Sequence, residues 1–417
     1  MRRTLAAREA RLAFWMLAPT LAIVFAIVIF PVLANLWLSV KPVRLQDLRA
    51  PVPVVRETVL LPDPDFGPDE PTLRLRVSNR TETEITGVAV RRALPPALEI
   101  LGTPPGCRLD RAVLECRVDL LRARASVDFE VPLAGLAPDA FEAPGEAATA
   151  TGRADSILTN LDFTLGNFVR VFAAAEFWPN LKTTIWYALF SSIFSIVVGL
   201  GAALLMNVKF IGRGFFRGLF LFPYIAPVIA VAFTWAFLLD PFSGVINALL
   251  LKYGLADQPV LFLSQRTLPL DLAGLRIGLP LALTTVILFE VWRYSPFAFL
   301  FILARLQALP AELNEASAVD GASPFQRFWH VTLPQLSGVM AVLFMLRFIW
   351  TFNKFDDIFL LTGGAAGTKT ITIQVYDYAF ALADLGTGAA TALVLFAVLG
   401  LFLIIYFRWI EGRADTA

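Results

Sequence analysis

Six stretches of this sequence are long and apolar enough to cross a membrane: about Leu12–Leu38, Thr183–Met206, Phe215–Leu239, Leu279–Leu303, Leu336–Leu361 and Ala389–Phe407. A spanning helix needs ~20 mainly apolar residues. In hydrocarbon every backbone polar group must be satisfied inside the protein, so runs of this length fold as helices. Composition agrees: 57% of the 417 residues are hydrophobic and 17% are charged, against roughly 25% charged in soluble domains. The sequence predicts a polytopic α-helical membrane protein. The first run exceeds the apolar region of a signal peptide and has no clear small-residue cleavage site after it, so it reads as a retained helix.

Orientation follows from Lys and Arg in the short loops. With the N-terminus inside, the inner side carries Arg2, Arg3, Arg8, Arg11, Lys209, Arg213, Arg217, Arg305, Arg327, Arg408 and Arg413. The short outer segments carry Arg170, Lys182, Lys252, Arg266, Arg276 and Lys369. Both termini are therefore expected in the cytoplasm. The net charge of +1 gives no reason to expect a nucleic-acid partner. One histidine and two cysteines exclude a Cys/His zinc cluster, which needs four such ligands.

Three parts are expected: residues 1–40, with the first helix; 41–160, a domain of another kind; and 161–417, a five-helix core with a cytoplasmic loop at 307–335. In the middle part prolines crowd 51–71, and then period-2 alternation begins. Leu73, Leu75 and Val77 alternate with Arg74, Arg76 and Ser78. Val88 with Val90, Val113 with Val118, and Val127, Phe129 and Val131 continue it. Such alternation reads as half-buried strands, and several short ones as a β-sandwich. The Ser78-Asn79-Arg80 turn, the Leu94-Pro95-Pro96-Ala97-Leu98 step and the Cys107/Cys116 pair resemble the Ig-like domains of bacterial surface proteins. The topology places both cysteines outside the cytoplasm, where disulfides persist. A Cys107–Cys116 bridge is expected, two separate buried thiols being the alternative.

The most specific pattern runs from Leu309-Pro310 through Glu315-Ala316-Ser317 and Asp320-Gly321 to Ser323-Pro324, and on to Val331-Thr332-Leu333-Pro334. It reads as two short helices. Pro310 suits a first turn, Gly321 a helix end, and Ser323 before Pro324 an N-cap with proline at the first position. Ala316 and Ala318 leave room for a partner to approach the backbone. This loop resembles the "EAA" coupling motif of binding-protein-dependent ABC importer permeases, in which Glu-Ala-Ala is followed by three residues, Gly, nine residues and Ile-x-Leu-Pro. Here Ser317 stands for the third position of the triplet and Val331 for Ile.

Asp240-Pro241 with Gly244-Val245-Ile246-Asn247, Thr351–Asp356 with Leu361–Gly364, and Tyr376–Phe380 before Gly386 are similar to the carbohydrate-uptake branch of that family. The resemblance covers about 12–40 and 160–410. It implies the type I importer permease fold of six helices, here with an extracytoplasmic β-sandwich inserted after the first. It also implies a second permease subunit, two cytoplasmic ATPases that bind ATP and Mg2+, and an external solute-binding protein. Glu315, Ala316, Ser317, Asp320, Gly321, Leu333 and Pro334 would form the contact with an ATPase.

Ionisable residues inside spanning segments are costly and face a pathway or a partner. Glu290 and Arg293, at i and i+3, are expected to pair on one helical face. Arg347, Lys354, Asp356 and Asp357 lie in the fifth run, with Lys354 and Asp357 near its outer end. Phe352, Asn353, Phe355 and Asp356 form a polar-aromatic group suited to a sugar, and are expected to line the substrate pathway. Helix packing is the plainer alternative. Gly363–Thr370 is near a Walker A loop, but no Gly directly precedes Lys369, so ATP would be hydrolysed by other chains. No nucleophile–base–acid set is visible, and the lone His330 lies in the 307–335 loop. The sequence holds no cofactor site. A membrane-anchored receptor with the β-domain as sensor is the rival reading, but the sequence contains no cytoplasmic output domain. The substrate is not legible.

Overall fold

The structure is a computed structural model that describes residues 2–48, 52–61, 70–81, 83–94, 100–134, 147–154, 157, 160–272 and 275–414. The chain divides into two units: 1–169 with 378–390, and 170–377 with 391–417. The first helix and the β-domain fall in the same unit.

In the first unit, α1 (Arg2–Val24) runs through a π-helical turn (Phe25–Ile29) into α2 (Phe30–Ser39). Pro31 has no N–H to give the ladder, and just before it the Phe30 N–H reaches back to Phe25 O. Within the span Glu9–Ser39, the most apolar 18-residue stretch has no buried residue. A helix that is hydrophobic all round needs lipid or another protein to cover it.

Seven strands follow: β1 (Val54–Leu60), β2 (Thr72–Ser78), β3 (Ile85–Ala93), β4 (Cys107–Asp110), β5 (Val113–Leu121), β6 (Ser126–Pro132) and β7 (Thr149–Arg153). They form two antiparallel sheets ordered β1-β2-β6 and β4-β5-β3-β7. The alternating side chains build one core from both sheets: Leu73, Leu75 and Val77 of β2, Val88 and Val90 of β3, and Phe129 and Val131 of β6. On β5 the expected pair fails. Val113 is exposed, and the inward residues are Leu114, Cys116 and Leu121. Val113 and Val118 are five apart, which puts them on opposite faces of a strand. Cys107 and Cys116 are register partners on β4 and β5, and a disulfide joins them. In the Ser78-Asn79-Arg80 turn, Asn79 is buried, donates to the carbonyls of Thr83, Leu121 and Arg122, and accepts from Thr81. Residues 95–98 of the proline step lie outside the described residues.

Three segments of this unit are stitched together where the sheet domain leaves the helix. Asn167 Nδ2 donates to Ser39 O and Lys41 O, both at 2.8 Å. Leu45 N–H donates to Ala383 O, and Gly386 N–H to Val43 O. The buried Lys41 ammonium donates to Asn160 O and Oδ1 and lies over the rings of Trp37 and Phe163. Gly386 is required here, since a Cβ would stand 2.3 Å from Lys41 O.

The second unit is helical. Its elements include α3 (Gly166–Ala173, which begins in the first unit), α4 (Phe177–Asn207), α5 (Arg213–Ile225), α6 (Val228–Leu238), α7 (Val245–Lys252), a hairpin of β8 (Leu268–Leu272) and β9 (Leu275–Leu279), and α8 (Leu281–Gln307). Then come α9 (Ala311–Val319), α10 (Pro324–Arg327), α11 (Leu333–Phe352), α12 (Asp356–Thr362), α13 (Ile371–Tyr376) and α14 (Leu385–Ala414). Among the described residues, five helical stretches are long and apolar enough to span, six if the bent pair α5–α6 counts as one. α4 and α8 pack closely at Gly199, where a Cβ would meet Ala298 and the Ser295 and Phe299 backbone at 2.8 Å.

Two expected continuous runs are broken. Phe215–Leu239 bends by 94° between α5 and α6. Pro227 cannot donate and drives Ala226 to extended backbone. Leu336–Leu361 breaks at Asn353–Phe355, between α11 and α12. Asp356 and Asp357 fall in the first turn of α12, where carboxylates favour a helix start.

Candidate functional site

The 307–335 segment is built by local rules. Pro310 is the N-cap of α9, one position before the expected first turn. α9 ends in a Schellman arrangement: Ala322 N–H donates to Ser317 O at 3.0 Å and Gly321 N–H to Ala318 O at 3.1 Å. Gly321 takes φ +81°, and the space where a Cβ would go is open. Ser323 then caps α10 in a reciprocal box with Gln326, with Pro324 at the first position. His330 falls in a π-helical turn, Phe328–Thr332, that leads into α11. Leu333 is half-buried and Pro334 exposed in the first turn of α11.

The segment presents itself outward. Glu315, Ala316, Ala318, Asp320 and Gly321 are exposed, and Ser317 is half-buried. Val319 is 87% and Phe325 72% exposed. Apolar side chains this open, on a short helix with small neighbours, suit a protein partner.

A second site lies among the apolar helices. Glu290 is fully buried on α8, and its Oε1 accepts from Arg347 Nη2 at 2.7 Å and Thr351 Oγ1 at 3.3 Å. The expected Glu290–Arg293 pair is not formed. Arg293 instead donates to Ala226 O at 3.1 Å, a carbonyl that the α5–α6 break leaves without a helical partner. Lys354 Nζ stands 3.3 Å from Asp357 Oδ2 and 3.7 Å from Asp356 Oδ1, and bonds Tyr294 OH. Arg347 and Lys354 lie 4.2 and 4.5 Å from the centre of the Tyr294 ring. Tyr294, Arg347, Ile349, Trp350, Asn353 and Lys354 line a cavity of about 280 Å3.

The four expected pathway residues are not brought together. Asn353 lines this cavity, though its amide bonds back to Ile349 O. Asp356 is half exposed beside Lys354. Phe352 is buried against Phe348, so its ring faces the core and not the cavity. Phe355 packs on Phe359 and Tyr376. Tyr294 and Trp350 were missed. Tyr294, four residues after Glu290, shares its helical face, which is a usable signal; nothing in the sequence marks Trp350. Lys354 and Asp357 form a largely buried pair.

Two loops settle minor questions. Gly363–Thr370 is no phosphate cradle, because Lys369 pairs with Asp377 at 2.7 Å and Glu176 at 3.3 Å. Burial pushes the Lys369 ammonium down, but its bonds to those carboxylates outweigh this and hold its pKa above the ordinary lysine value. Asp240 accepts from Ser243 N–H and Oγ and from Phe242 N–H, and these bonds hold its carboxyl below the usual range. Among the described residues no group of three or more His, Cys, Asp or Glu could hold a metal.

Apolar helices broken around buried charges, with a capped helix pair turned outward, are the features of a multi-pass membrane protein. The profile of the family described as "Binding-protein-dependent transport system inner membrane component" matches residues 195–416, more than half of the chain, and the chain belongs to that family. The match leaves the two-sheet domain outside it. The chain is 35% identical to the trehalose/maltose transport system permease protein MalF of Thermococcus litoralis, over 60% of this chain and 80% of that protein. It is 37% identical to the inner membrane ABC transporter permease protein YcjO of Escherichia coli, over 56% and 75%. A bacterial ABC transporter involved in importing the polysaccharide alginate shares the fold, with a TM-score of 0.54 at 22% identity over 61% of this chain and 85% of that one. The protein is thus a multi-pass inner-membrane permease subunit of an ABC importer. It is not itself an enzyme; ATP hydrolysis belongs to separate ATPase subunits.

Proposed function

We propose that the chain carries a sugar or related polyol across the cytoplasmic membrane, driven through the 307–335 segment. The observation that carries the reading is the geometry of α9: a short outward helix, stopped by a left-handed Gly321 and followed at once by a second capped turn. That hairpin is a rigid, exposed element suited to a cleft in an ATPase, with Glu315, Ala316, Ser317, Asp320 and Gly321 at the contact and Leu333-Pro334 leading back into the membrane.

The substrate class is supported by relatives whose names include trehalose, maltose and glycerol-3-phosphate transport. The cavity beside Asn353 suits a neutral polyhydroxyl ligand: its two cations already have carboxylate partners, and Tyr294, Trp350 and the Asn353 amide offer rings and hydrogen bonds. In this reading both termini are cytoplasmic, and residues 41–160 form an extracytoplasmic Ig-like domain. The assembly comprises a second permease, two ATPases holding ATP and Mg2+, and a solute-binding protein. Alternating access then proceeds as rigid-body rocking around a site within the membrane.

The test is reconstitution of the chain with its co-encoded partners in liposomes, followed by ATP-dependent uptake of labelled sugars. Uptake that needs both ATP and the binding protein supports the reading. Ligand binding by the β-domain without uptake of any sugar or polyol would favour the receptor.

A further inference from the structure

We propose that α7 and the turn before it lie in the phospholipid headgroup layer, on the membrane face opposite the 307–335 segment, with Phe242, Val245, Leu249 and Tyr253 turned to lipid. The Asp240–Asn247 stretch, which the transport reading leaves without a role, builds this surface. Asp240 accepts from the Phe242 and Ser243 N–H groups and so fixes a tight turn that holds Phe242 91% exposed. Gly244 lets α7 start against the end of α6, since a Cβ there would stand 2.6 Å from Leu238 O. Asn247 is buried; its amide donates to Asp240 O at 3.2 Å and Val260 O at 3.1 Å, and accepts from Val260 N–H at 2.8 Å. With Asn247 held inward the rotation of α7 is set, and Val245, Leu249 and Tyr253, at i, i+4 and i+8, follow one outward face. They are 51%, 44% and 68% exposed.

The placement selects the partner. α6 closes the bent span that α5 opens, and α8, 27 residues long, is the next span. At 1.5 Å per residue it exceeds the ~30 Å hydrocarbon layer. Its far end leads into the 307–335 segment, so residues 239–280 lie at the other face. That connection is tied to both span ends. Gly244 N–H donates to Asp240 O at 3.1 Å, and Ala282 N–H, in the first turn of α8, donates to Gln265 O at 3.2 Å. α7 thus stands at the level where the spans leave the hydrocarbon.

The chemistry of the face agrees. From Pro241 to Leu255 the chain has one charged side chain, Lys252, whose ammonium lies 5.8 Å from the centre of the Tyr253 ring. A surface that docks a soluble protein carries a polar rim; here Leu251 and Leu255 are exposed as well and continue the apolar surface. Aromatic rings and a lysine at the end of an apolar stripe are the composition of the membrane–water interface, where Tyr and Lys bury their stems and keep their tips wet. The proposal needs only that α6 and α8 cross the membrane. It is independent of the transported substrate and of the ATPase contact.

The experiment uses the full chain with its partners in phosphatidylcholine nanodiscs. The native cysteines are bonded to each other, so Leu249→Cys takes a single NBD fluorophore without reduction. A nitroxide at the lipid headgroup should quench it roughly twofold more than one at the acyl terminus, and iodide in solution should quench it weakly. Strong iodide quenching with no lipid quenching, quenching by neither probe, or stronger quenching from the acyl terminus overturns the proposal. Emission that turns blue only when the co-encoded solute-binding protein is added overturns it in favour of that protein. The wild-type complex gives a readout free of substitution. A phosphatidylcholine with a photoactivatable group next to its headgroup should label residues 241–255, and labelling confined to α4, α8, α11 and α14 contradicts the site.

Discussion

The two units bury opposite things. In the two-sheet domain Leu73, Leu75, Val77 and Val131 lie inside, while Arg74–Glu130 and Arg76–Asp128 pair across β2 and β6 on the outer face. In the helical unit Glu290, Arg347, Thr351 and Asp357 are inside, and Phe215, Leu219, Phe222 and Ile229 point outward. The ion pairs have similar lengths, 2.8 Å for Arg76–Asp128 and 2.7 Å for Arg347–Glu290. Their energetic meaning differs. A solvated pair exchanges one set of good interactions for another and contributes little. A buried pair has already lost its water, so removing one partner strands the other. Charge marks the outer face on β2 and β6 and the buried site in the helical unit.

The largest break in that comparison is Glu290→Gln. It leaves Arg347 uncompensated in an apolar interior and should cost about 3–5 kcal/mol, read by thermal unfolding of the detergent-solubilised complex. Glu290→Leu with Arg347→Met should recover much of the loss. If the single variant melts like wild type, the pair is not sealed from water.

Next is the disulfide. Cys107→Ser/Cys116→Ser removes a covalent link that lies wholly within the sheet domain and should destabilise that domain by about 2–4 kcal/mol, with the helical unit's melting unchanged. Thiol labelling of the unreduced, denatured protein should find neither cysteine; two labelled thiols would remove the bridge from the account.

Asn353→Ala is smaller and purely functional. Losing one hydrogen bond of about 1–1.5 kcal/mol should lower uptake at limiting substrate roughly tenfold, with ATPase assembly intact. Unchanged uptake would make Asn353 a packing residue.

The smallest effect is expected at Asp128. Chiefly the hydrogen bond from Arg76 holds its carboxyl below the ordinary range. Its contribution is therefore present above the unfolded value, near ~3.9, and is lost as pH falls through the folded one. Asp128→Asn should leave melting at neutral pH unchanged within error and slightly flatten the acid-side decline. A loss as large as that of Glu290→Gln would erase the distinction between the units.

How much of this was legible follows the same division. Strand alternation found the β2, β3 and β6 core because period 2 is a one-dimensional signal. It failed at Val113, which is exposed five positions from the core-packed Val118, where spacing was read without parity. Gly321, Ser323 and Pro324 announced the α9–α10 turn because caps and left-handed positions are local chemistry. The charge partners were not legible. Glu290 meets Arg347 from a helix 57 positions away, and Arg293 serves a carbonyl that exists only because Pro227 breaks α5 from α6. Tertiary packing chose these pairs, and helical spacing, which proposed Glu290 with Arg293, could not.

In the proposed function, α9 and the turn after it carry the energy of ATP into the membrane unit. Gly321→Val tests it most directly. Within this chain a Cβ there meets nothing, so here valine acts through backbone strain, a kcal/mol or more at φ +81°. The variant should insert and accumulate in the membrane as wild type does. Its complex should lose substrate-stimulated ATP hydrolysis and uptake together, and Glu315→Lys should weaken both. Normal stimulation and uptake in Gly321→Val would show that this segment does not transmit the drive.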